Sequence, residues 1–172
     1  MNPKSRTMID INKLENSCGS AVCAYRGKGV CRSTVKDYCP MYTVYKPEFF
    51  VEKEFQKCTP PCSMKDVHPA LLKLLDDLRR EAGIPIVLSC VYRSRQRDLD
   101  HGRSGNSAHT LGLGADILCR TTANRFKIIA AAIKLGVDRI GIGATFIHID
   151  IGDSDILPSN VLWVYDSNGK AL

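Results

Sequence analysis

Apolar side chains recur at helical spacing between Asp66 and Gly83, which predicts an amphipathic helix. Five residues form its apolar stripe: Val67, Leu71, Leu74, Leu75 and Leu78. Asp66 can cap this helix, Pro69 is tolerated in the first turn, and Gly83 is a stop signal. The stripe indicates that one face of the helix packs on a core.

A second helix is predicted to begin after Thr121 or Thr122, either of which can cap it, and to end at Gly136. The residues expected on its buried face are Phe126, Ile129, Ala130 and Ile133. This helix is expected to cover the same core as the first.

Short apolar, β-branched runs predict five strands, at residues 86–90, 113–119, 139–142, 146–151 and 161–165. The polar, glycine-containing stretch 95–107 is predicted to be a loop. Because the helices are segregated from several consecutive strands, the pattern favours an α+β fold. We expect a small, mostly antiparallel sheet with the helices packed on it.

Residues 1–45 show no sustained period and few large aliphatic side chains, so we predict an irregular extension there and one domain over residues 46–172. The extension carries seven Lys or Arg against three acids, +4 of the net charge of +6. Anionic partners such as nucleic acid or acidic peptidoglycan would suit it, although ordinary solubility charge is the simpler interpretation. No apolar run approaches the roughly 20 residues that span a bilayer, and residues 1–13 do not resemble a secretory signal peptide.

The chain has eight cysteines, and this even count favours disulfides over free thiols or a structural metal. Four lie in the extension, with gaps of four, seven and seven residues that lack Cys-x-x-Cys hairpins: Cys18, Cys23, Cys31 and Cys39. Cys58 and Cys62 bracket a Thr-Pro-Pro turn. Cys90 and Cys119 lie inside apolar segments and are most simply small buried hydrophobic residues.

The strongest chemical signal comes from His109, Asp116 and His148. Asp116 opens an apolar strand, where a carboxylate without a partner would be costly. His148 lies in another predicted strand, and Asp150 points to the same face because side chains alternate. Two imidazoles and one carboxylate leave a fourth position open, which is typical of catalytic zinc. We therefore predict one zinc ion that activates water for amide hydrolysis.

These residues resemble the zinc D-alanyl-D-alanine carboxypeptidases and L-alanyl-D-glutamate endopeptidases of bacterial peptidoglycan, whose fold the hedgehog signalling domain shares. The family's Ser-x-His-x-x-Gly-x-Ala-x-Asp is matched from Ser107 to Asp116, with Gly114 in place of alanine. The family's Tyr-Arg-Ser is matched by residues 92–94. Its closing strands resemble residues 141–150 and 162–163, so the resemblance covers about residues 46–166.

The resemblance implies a role for each matching residue. The zinc ligands would be His109, Asp116 and His148. Arg93 would act in catalysis by holding a substrate carboxylate or carbonyl oxygen with its guanidinium fork; a surface arginine is the alternative. Ser107 would orient the substrate or its own loop, unless it is a plain turn serine. His101, in the polar loop, is a weaker candidate for substrate contact.

The proton-transfer residue departs from the commoner family pattern. Several members place an acid three residues before the last histidine, and Thr145 occupies that position here. Asp150 is the acid nearest in sequence, as in a His-x-Asp branch of the family, and is predicted to be the general base or acid. The alternative is that the Asp150 carboxylate only hydrogen-bonds His148 or a loop amide.

The leading hypothesis is therefore a monomeric zinc peptidase that cleaves peptidoglycan stem peptides or cross-links at the cell wall. The absence of a recognisable export signal suggests a phage endolysin or virion-associated lysin. One alternative is a non-catalytic, hedgehog-like zinc module with a structural or wall-binding role. Nucleic-acid binding by the basic extension is a third class, and its scattered tyrosines, which lack a stacking motif, argue against it.

Overall fold

The computed structural model describes residues 45–152, 157–166 and 172. The described residues form four helices, α1 (Glu52–Gln56), α2 (Pro69–Ala82), α3 (Arg95–Asp100) and α4 (Thr122–Lys134). They form five strands, β1 (Leu88–Cys90), β2 (Gly114–Leu118), β3 (Arg139–Ile142), β4 (Phe146–Asp150) and β5 (Val161–Val164). Two short 3-10 turns lie at Met64–Asp66 and Ala108–Leu111. The predicted extension, with its four cysteines, lies outside these residues.

The five strands make one sheet in the order β1-β2-β4-β3-β5. The pairs β1–β2, β2–β4 and β3–β4 are antiparallel, and the edge strand β5 runs parallel to β3. Helices α2 and α4 contact each other, and α4 contacts β4, so they cover one face of the sheet. The α+β fold with a mostly antiparallel sheet is therefore confirmed.

Helix α2 keeps the predicted apolar stripe but begins at a different cap. Leu72 is buried, and so are the four leucines of the stripe: Leu71, Leu74, Leu75 and Leu78. Gly83 ends the helix in the left-handed conformation, with φ of 63°. Asp66, the expected cap, instead ends the preceding 3-10 turn, and the buried imidazole of His68 caps α2. Pro69 explains the shift, because a proline at the first helical position keeps the residue before it extended.

Helix α4 begins after Thr121, as predicted, but buries a different face. The residues that pack inward are Ile128, Ala131 and Ala132. Phe126 and Ile133, expected in the core, are 75% and 59% exposed. The helix is apolar on two sides, and the side with adjacent alanines lets α4 approach α2 closely. The predicted face was therefore wrong for Phe126, Ala130 and Ile133, whereas Ile129 is partly buried against the core.

The predicted loop at residues 95–107 contains helix α3. The Ser94 hydroxyl accepts a hydrogen bond from the Arg97 amide and so caps the helix. The inward-facing residue of this helix is Asp98, which is buried. Hydrophobic periodicity could not reveal a short helix whose buried side chain is charged.

The four described cysteines are free thiols, so the expectation of disulfides is wrong for Cys58 and Cys62. Cys58 and Cys62 donate to backbone carbonyls within or beside α1, at sulfur–oxygen distances of 3.6 and 3.8 Å. Cys90 and Cys119 are buried, as predicted for small hydrophobic residues.

The described chain is tied to α2 from its first residues. The Tyr45 hydroxyl donates to the Asp76 carboxylate at 2.5 Å, and the amides of Glu48 and Phe49 donate to the same group. Asp76 is fully buried, so these bonds satisfy a carboxylate that water does not reach. The boundary between residues 45 and 46 stays a prediction. No described helix combines the length and the apolar character needed to cross a membrane.

The reversed face of α4 leads to a stability prediction. Replacing Ile128 with Ala should lower the free energy of unfolding by about 2–5 kcal/mol, because it leaves a cavity between α4 and the sheet. Replacing Phe126 with Ala should change it by less than about 0.5 kcal/mol, since that ring is already in water. Urea denaturation followed by circular dichroism measures both. A larger loss from Phe126→Ala would contradict the observed orientation.

Candidate metal centre

One row of register partners crosses the whole sheet. Cys90 pairs with Asp116, Asp116 with His148, His148 with Gly141, and Gly141 with Trp163. Residues opposite one another in a sheet share a face, with Cβ atoms about 4.5–5.5 Å apart. The intervening residues of β4 enter the core beneath α2 and α4. The row therefore lies on the face that these helices leave open.

The 3-10 turn Ala108–Leu111 brings His109 over this row. The turn ends at Gly112, whose φ of 69° favours glycine. A Cβ atom at Gly112 would also lie 2.3 Å from the backbone oxygen of Asp66. The glycine three residues after the histidine is thus required both by its backbone conformation and by its close approach to another segment.

Three candidate ligand atoms converge at the centre of the row. His109 Nε2 is 3.1 Å from His148 Nδ1 and 3.3 Å from Asp116 Oδ1. His148 Nδ1 is 2.8 Å from Asp116 Oδ1. Zinc binds such atoms at about 2.0–2.2 Å, and a tetrahedron with bonds near 2.0 Å separates its corners by roughly 3.3 Å. The three separations lie within about 0.5 Å of that value, so the donor set fits zinc.

The outer nitrogens of both histidines are held by acceptors. His109 Nδ1 lies 2.7 Å from the backbone oxygen of Val91, and His148 Nε2 lies 3.0 Å from Asp150 Oδ2. With an ion bound, an N–H that donates outward would leave the lone pair of each ring on its inner nitrogen, where the ion would lie. Both imidazoles are thereby oriented with the inner nitrogen toward Asp116.

Cys90 offers a second possible ligand set. Ligand atoms of Cys90, His109 and Asp116 lie within 4.8 Å of one another. However, the Cys90 sulfur is 3.9 Å from His109 Nδ1, the nitrogen already committed to the Val91 carbonyl. The set with His148 has shorter separations and uses only the inner nitrogens of the two rings, which face Asp116. We therefore favour two histidines and one aspartate.

Charges within the centre shift the pKa of its members. Burial alone would raise the pKa of Asp116, but attraction to His109 and hydrogen bonds from both histidines outweigh it and hold this pKa well below its usual range. Burial alone would lower the pKa of His148, but its hydrogen bonds to Asp116 and Asp150 raise it to about 9. The site thus attracts positive charge, as a cation site should.

Asp150 has partners on both of its oxygens. Oδ2 accepts from His148, and Oδ1 lies 2.6 Å from Arg139 Nε and 2.9 Å from the Gly152 amide nitrogen. The side chain is 1% exposed. Burial raises the pKa of Asp150, but the hydrogen bonds from His148 and Arg139 outweigh it and lower this pKa. Asp150 is therefore an anion behind His148, bound to it and to a loop amide.

The centre opens into a cavity of about 700 Å³. Three arginines line it: Arg93, Arg103 and Arg139. Phe146, Trp163 and Tyr165 form an aromatic wall, in which the Tyr165 ring centroid lies 5.1 Å from that of Phe146 and 6.0 Å from that of Trp163. Among the described residues, the carboxylates in this lining are Asp116 and Asp150. The cavity wall is thus cationic and aromatic.

The structure brings six of the seven predicted site residues to this cavity: Arg93, Ser107, His109, Asp116, His148 and Asp150. The Ser107 hydroxyl is buried and has no hydrogen-bond partner among the described residues. His101 is not among the lining residues; it ends α3, is exposed, and places Nδ1 2.8 Å from the Arg97 backbone oxygen.

The sequence interpretation missed Arg139, Arg103 and the aromatic wall. One signal for Arg139 was available, since it opens a predicted strand and is followed by apolar residues. Trp163 could not be assigned without the register, because Gly141 leaves the space that its indole fills. A Cβ atom at Gly141 would lie 2.6 Å from that ring.

A family model described as Peptidase M15 matches residues 48–150. The match spans more than half of the chain and includes all three candidate ligands. It ends at Asp150, before β5 begins. No curated protein matches the chain.

The convergence of the three ligand atoms predicts which histidines bind metal. Purified protein should bind one zinc per chain, and His109→Ala should reduce its zinc affinity at least about a hundredfold by removing one of three ligands. His101→Ala is the matched control and should leave affinity unchanged. Metal analysis and titration against a chelator of known affinity measure both. Undiminished zinc binding by His109→Ala would exclude this centre.

Proposed function

The chain belongs to the peptidase M15 family, and on that premise we propose that it uses one zinc ion to hydrolyse a peptide bond in bacterial peptidoglycan. Members of this family are zinc-dependent metallopeptidases. The peptidoglycan substrate and the roles of the individual residues are parts of our proposal. Such a substrate would place its action at the cell wall.

The observation that carries the proposal is the convergence of His109 Nε2, Asp116 Oδ1 and His148 Nδ1 beside an open cavity. Zinc bound there would act as a Lewis acid on the peptide carbonyl and make water nucleophilic at neutral pH. The chain supplies rigid placement, since both histidines are fixed by their outer nitrogens.

Arg93 is suited to hold a carboxylate or a carbonyl oxygen of the substrate. Its Nε lies 3.2 Å from Asp98 Oδ1 and its Nη1 3.5 Å from the Cys90 sulfur. The side chain is 12% exposed and lines the cavity. Because Asp98 fixes one edge of the guanidinium, the rest of the planar group is presented at little further entropic cost. Ser107 also lines the cavity, and its hydroxyl, which is buried and has no partner among the described residues, would have to turn outward to bond to the substrate.

The cavity wall supports an anionic peptide as the substrate. Arg93, Arg103 and Arg139 give it positive charge, and the described carboxylates in the lining are already engaged. Stem peptides of peptidoglycan carry free carboxylates, which guanidinium groups bind as charge-assisted pairs. The aromatic wall can cover the short apolar side chains of such a peptide.

Asp150 is proposed to orient His148 instead of moving the proton. Its contacts are those of the alternative considered for it, a hydrogen bond to His148 and one to a loop amide. Because both oxygens accept hydrogen bonds and the side chain is buried, the carboxylate is poorly placed to take a proton from a water molecule in the cavity. The prediction that it is the general base stays a prediction that substitution can decide.

The same observation keeps a second candidate function in view. Both described carboxylates of the cavity are occupied, so the described lining holds no free acid to accept a proton. A zinc module that binds cell wall without cutting it would have this property. Zinc binding together with an absence of hydrolysis would favour the module.

The decisive experiment is digestion of purified sacculi. We expect zinc-loaded protein to release soluble fragments, and chelator to abolish the release, because the ligand set is complete only with metal. Mass spectrometry of the fragments identifies the bond: new amino termini indicate an endopeptidase, and loss of terminal D-alanine alone indicates a carboxypeptidase. Inactive His109→Ala protein controls for a contaminating hydrolase. Sacculi that show neither new amino termini nor loss of D-alanine after treatment with zinc-replete protein would contradict the proposed hydrolysis.

Asp150→Asn tests the orienting role. Asparagine keeps one acceptor oxygen for His148, Arg139 and the Gly152 amide together, so we expect zinc affinity to fall about 10- to 100-fold. At saturating zinc, turnover should fall by less than about a hundredfold. If Asp150 were the base, zinc affinity would stay and turnover would fall about a hundred- to ten-thousandfold. Asp138, which is exposed and precedes Arg139 in the sequence, provides the control variant Asp138→Asn.

A further inference from the structure

Arg139 is a buried cation behind the candidate metal centre, and its contribution to the charge of the cavity does not account for its contacts. Its side chain is 8% exposed at the start of β3. The guanidinium donates through Nε to Asp150 at 2.6 Å and through Nη1 to the Pro158 carbonyl. Its central carbon lies 5.5 Å from the centroid of the Trp163 ring, at cation–π distance. One side chain thus joins β3 to β4, to β5 and to the segment before β5.

The contacts form a continuous chain to a candidate zinc ligand. Arg139 holds Asp150 Oδ1, and Asp150 Oδ2 holds His148 Nε2. His148 then turns Nδ1 toward Asp116. The Trp163 ring centroid lies 5.4 Å from that of His148, so the indole that stacks under Arg139 also bounds the imidazole. Arg139 therefore fixes the two groups that together fix the His148 ring.

By its charge alone, Arg139 would weaken the binding of a metal ion at this site. A guanidinium this close to a bound cation repels it, and the repulsion is strong where water is excluded. A buried arginine there is useful only if it acts through the carboxylate that it holds. Carboxylates that orient a ligating histidine are typically worth about 10- to 100-fold in metal affinity.

We propose that Arg139 is a positioning residue for the metal centre, which acts through Asp150 to hold His148 in its ligating orientation. This inference rests on the proposed zinc site. Arg139 strengthens zinc binding although its own charge opposes the ion. It touches neither the metal nor the reacting atoms.

A pair of arginine substitutions separates positioning from charge. Arg139→Met should lower zinc affinity about 10- to 100-fold, because Asp150 loses its partner and His148 its orientation. Arg103→Met removes a cavity arginine that is outside this chain of contacts and 3.9 Å from Asp98. That control should leave zinc affinity unchanged or raise it, since one repulsive charge is gone. Competition with a chelator of known affinity measures both.

A double-mutant cycle tests whether Arg139 acts through Asp150. In an Asp150→Asn background, Arg139→Met should cost less than about threefold in zinc affinity, since the link is already broken. The double variant also removes both buried charges together. Because neither charge is left unpaired, we expect this variant to fold. Arg139→Lys keeps a positive charge but cannot reach both partners, so its zinc affinity should lie between those of the wild type and Arg139→Met.

Trp163, the single tryptophan of the chain, gives an independent reading. Its emission should shift in Arg139→Met and not in Arg103→Met. Equal effects of the two arginine substitutions on zinc affinity would overturn the inference, as would a full loss on adding Arg139→Met to Asp150→Asn. Wild-type protein that binds no zinc would overturn the proposed function as well. Normal zinc affinity of the wild type, together with additive effects of Arg139→Met and Asp150→Asn, would overturn this inference but not the proposed function.

Discussion

The register between β2 and β4 is the constraint on which the rest of the site depends. It sets Asp116 opposite His148 on the open face of the sheet. Because side chains alternate along a strand, a slip of one residue would turn both toward the helices and bring isoleucines into the cavity. Ile117 and Ile147 are fully buried register partners, and their packing opposes that slip. The hydrophobic core and the placement of two candidate ligands are thus specified by the same pairing.

Charge compensation is the second constraint, because the site collects ionisable groups where water is scarce. Asp116 lies between two imidazoles, and Asp150 lies between His148 and Arg139. Each anion therefore has cationic or hydrogen-bonding partners on two sides, which offsets the cost of burial. The alternation continues to the cavity mouth, where Asp98 links Arg93 and Arg103. An anionic substrate would add one more negative group to this arrangement of alternating charges.

Much of this could be predicted from local pattern, and the failures share a cause. The five strands, helix α2 and the metal-binding spacing of His109 and Asp116 depend on residues close in sequence. The buried face of α4 does not depend on residues close in sequence. That helix is apolar on two sides, and only its packing on α2 determines that Ala131 and Ala132 are buried. Arg139 and Trp163 were missed because their contacts cross between strands distant in the chain. Periodicity shows which side of an element is apolar, but not which residues of another element it meets.

The placement of β5 has a consequence for how such a site can diversify. The family match ends at Asp150, yet the segment from Leu157 to Tyr165 contributes Trp163 and Tyr165 to the cavity wall. The candidate ligands lie in the matched part of the chain, and this part of the cavity wall lies in another, which joins the sheet only at its edge. Substitutions in the edge strand can therefore change the shape of the cavity while the candidate ligand set is retained. One part of the cavity wall can thus vary in sequence independently of the candidate ligands.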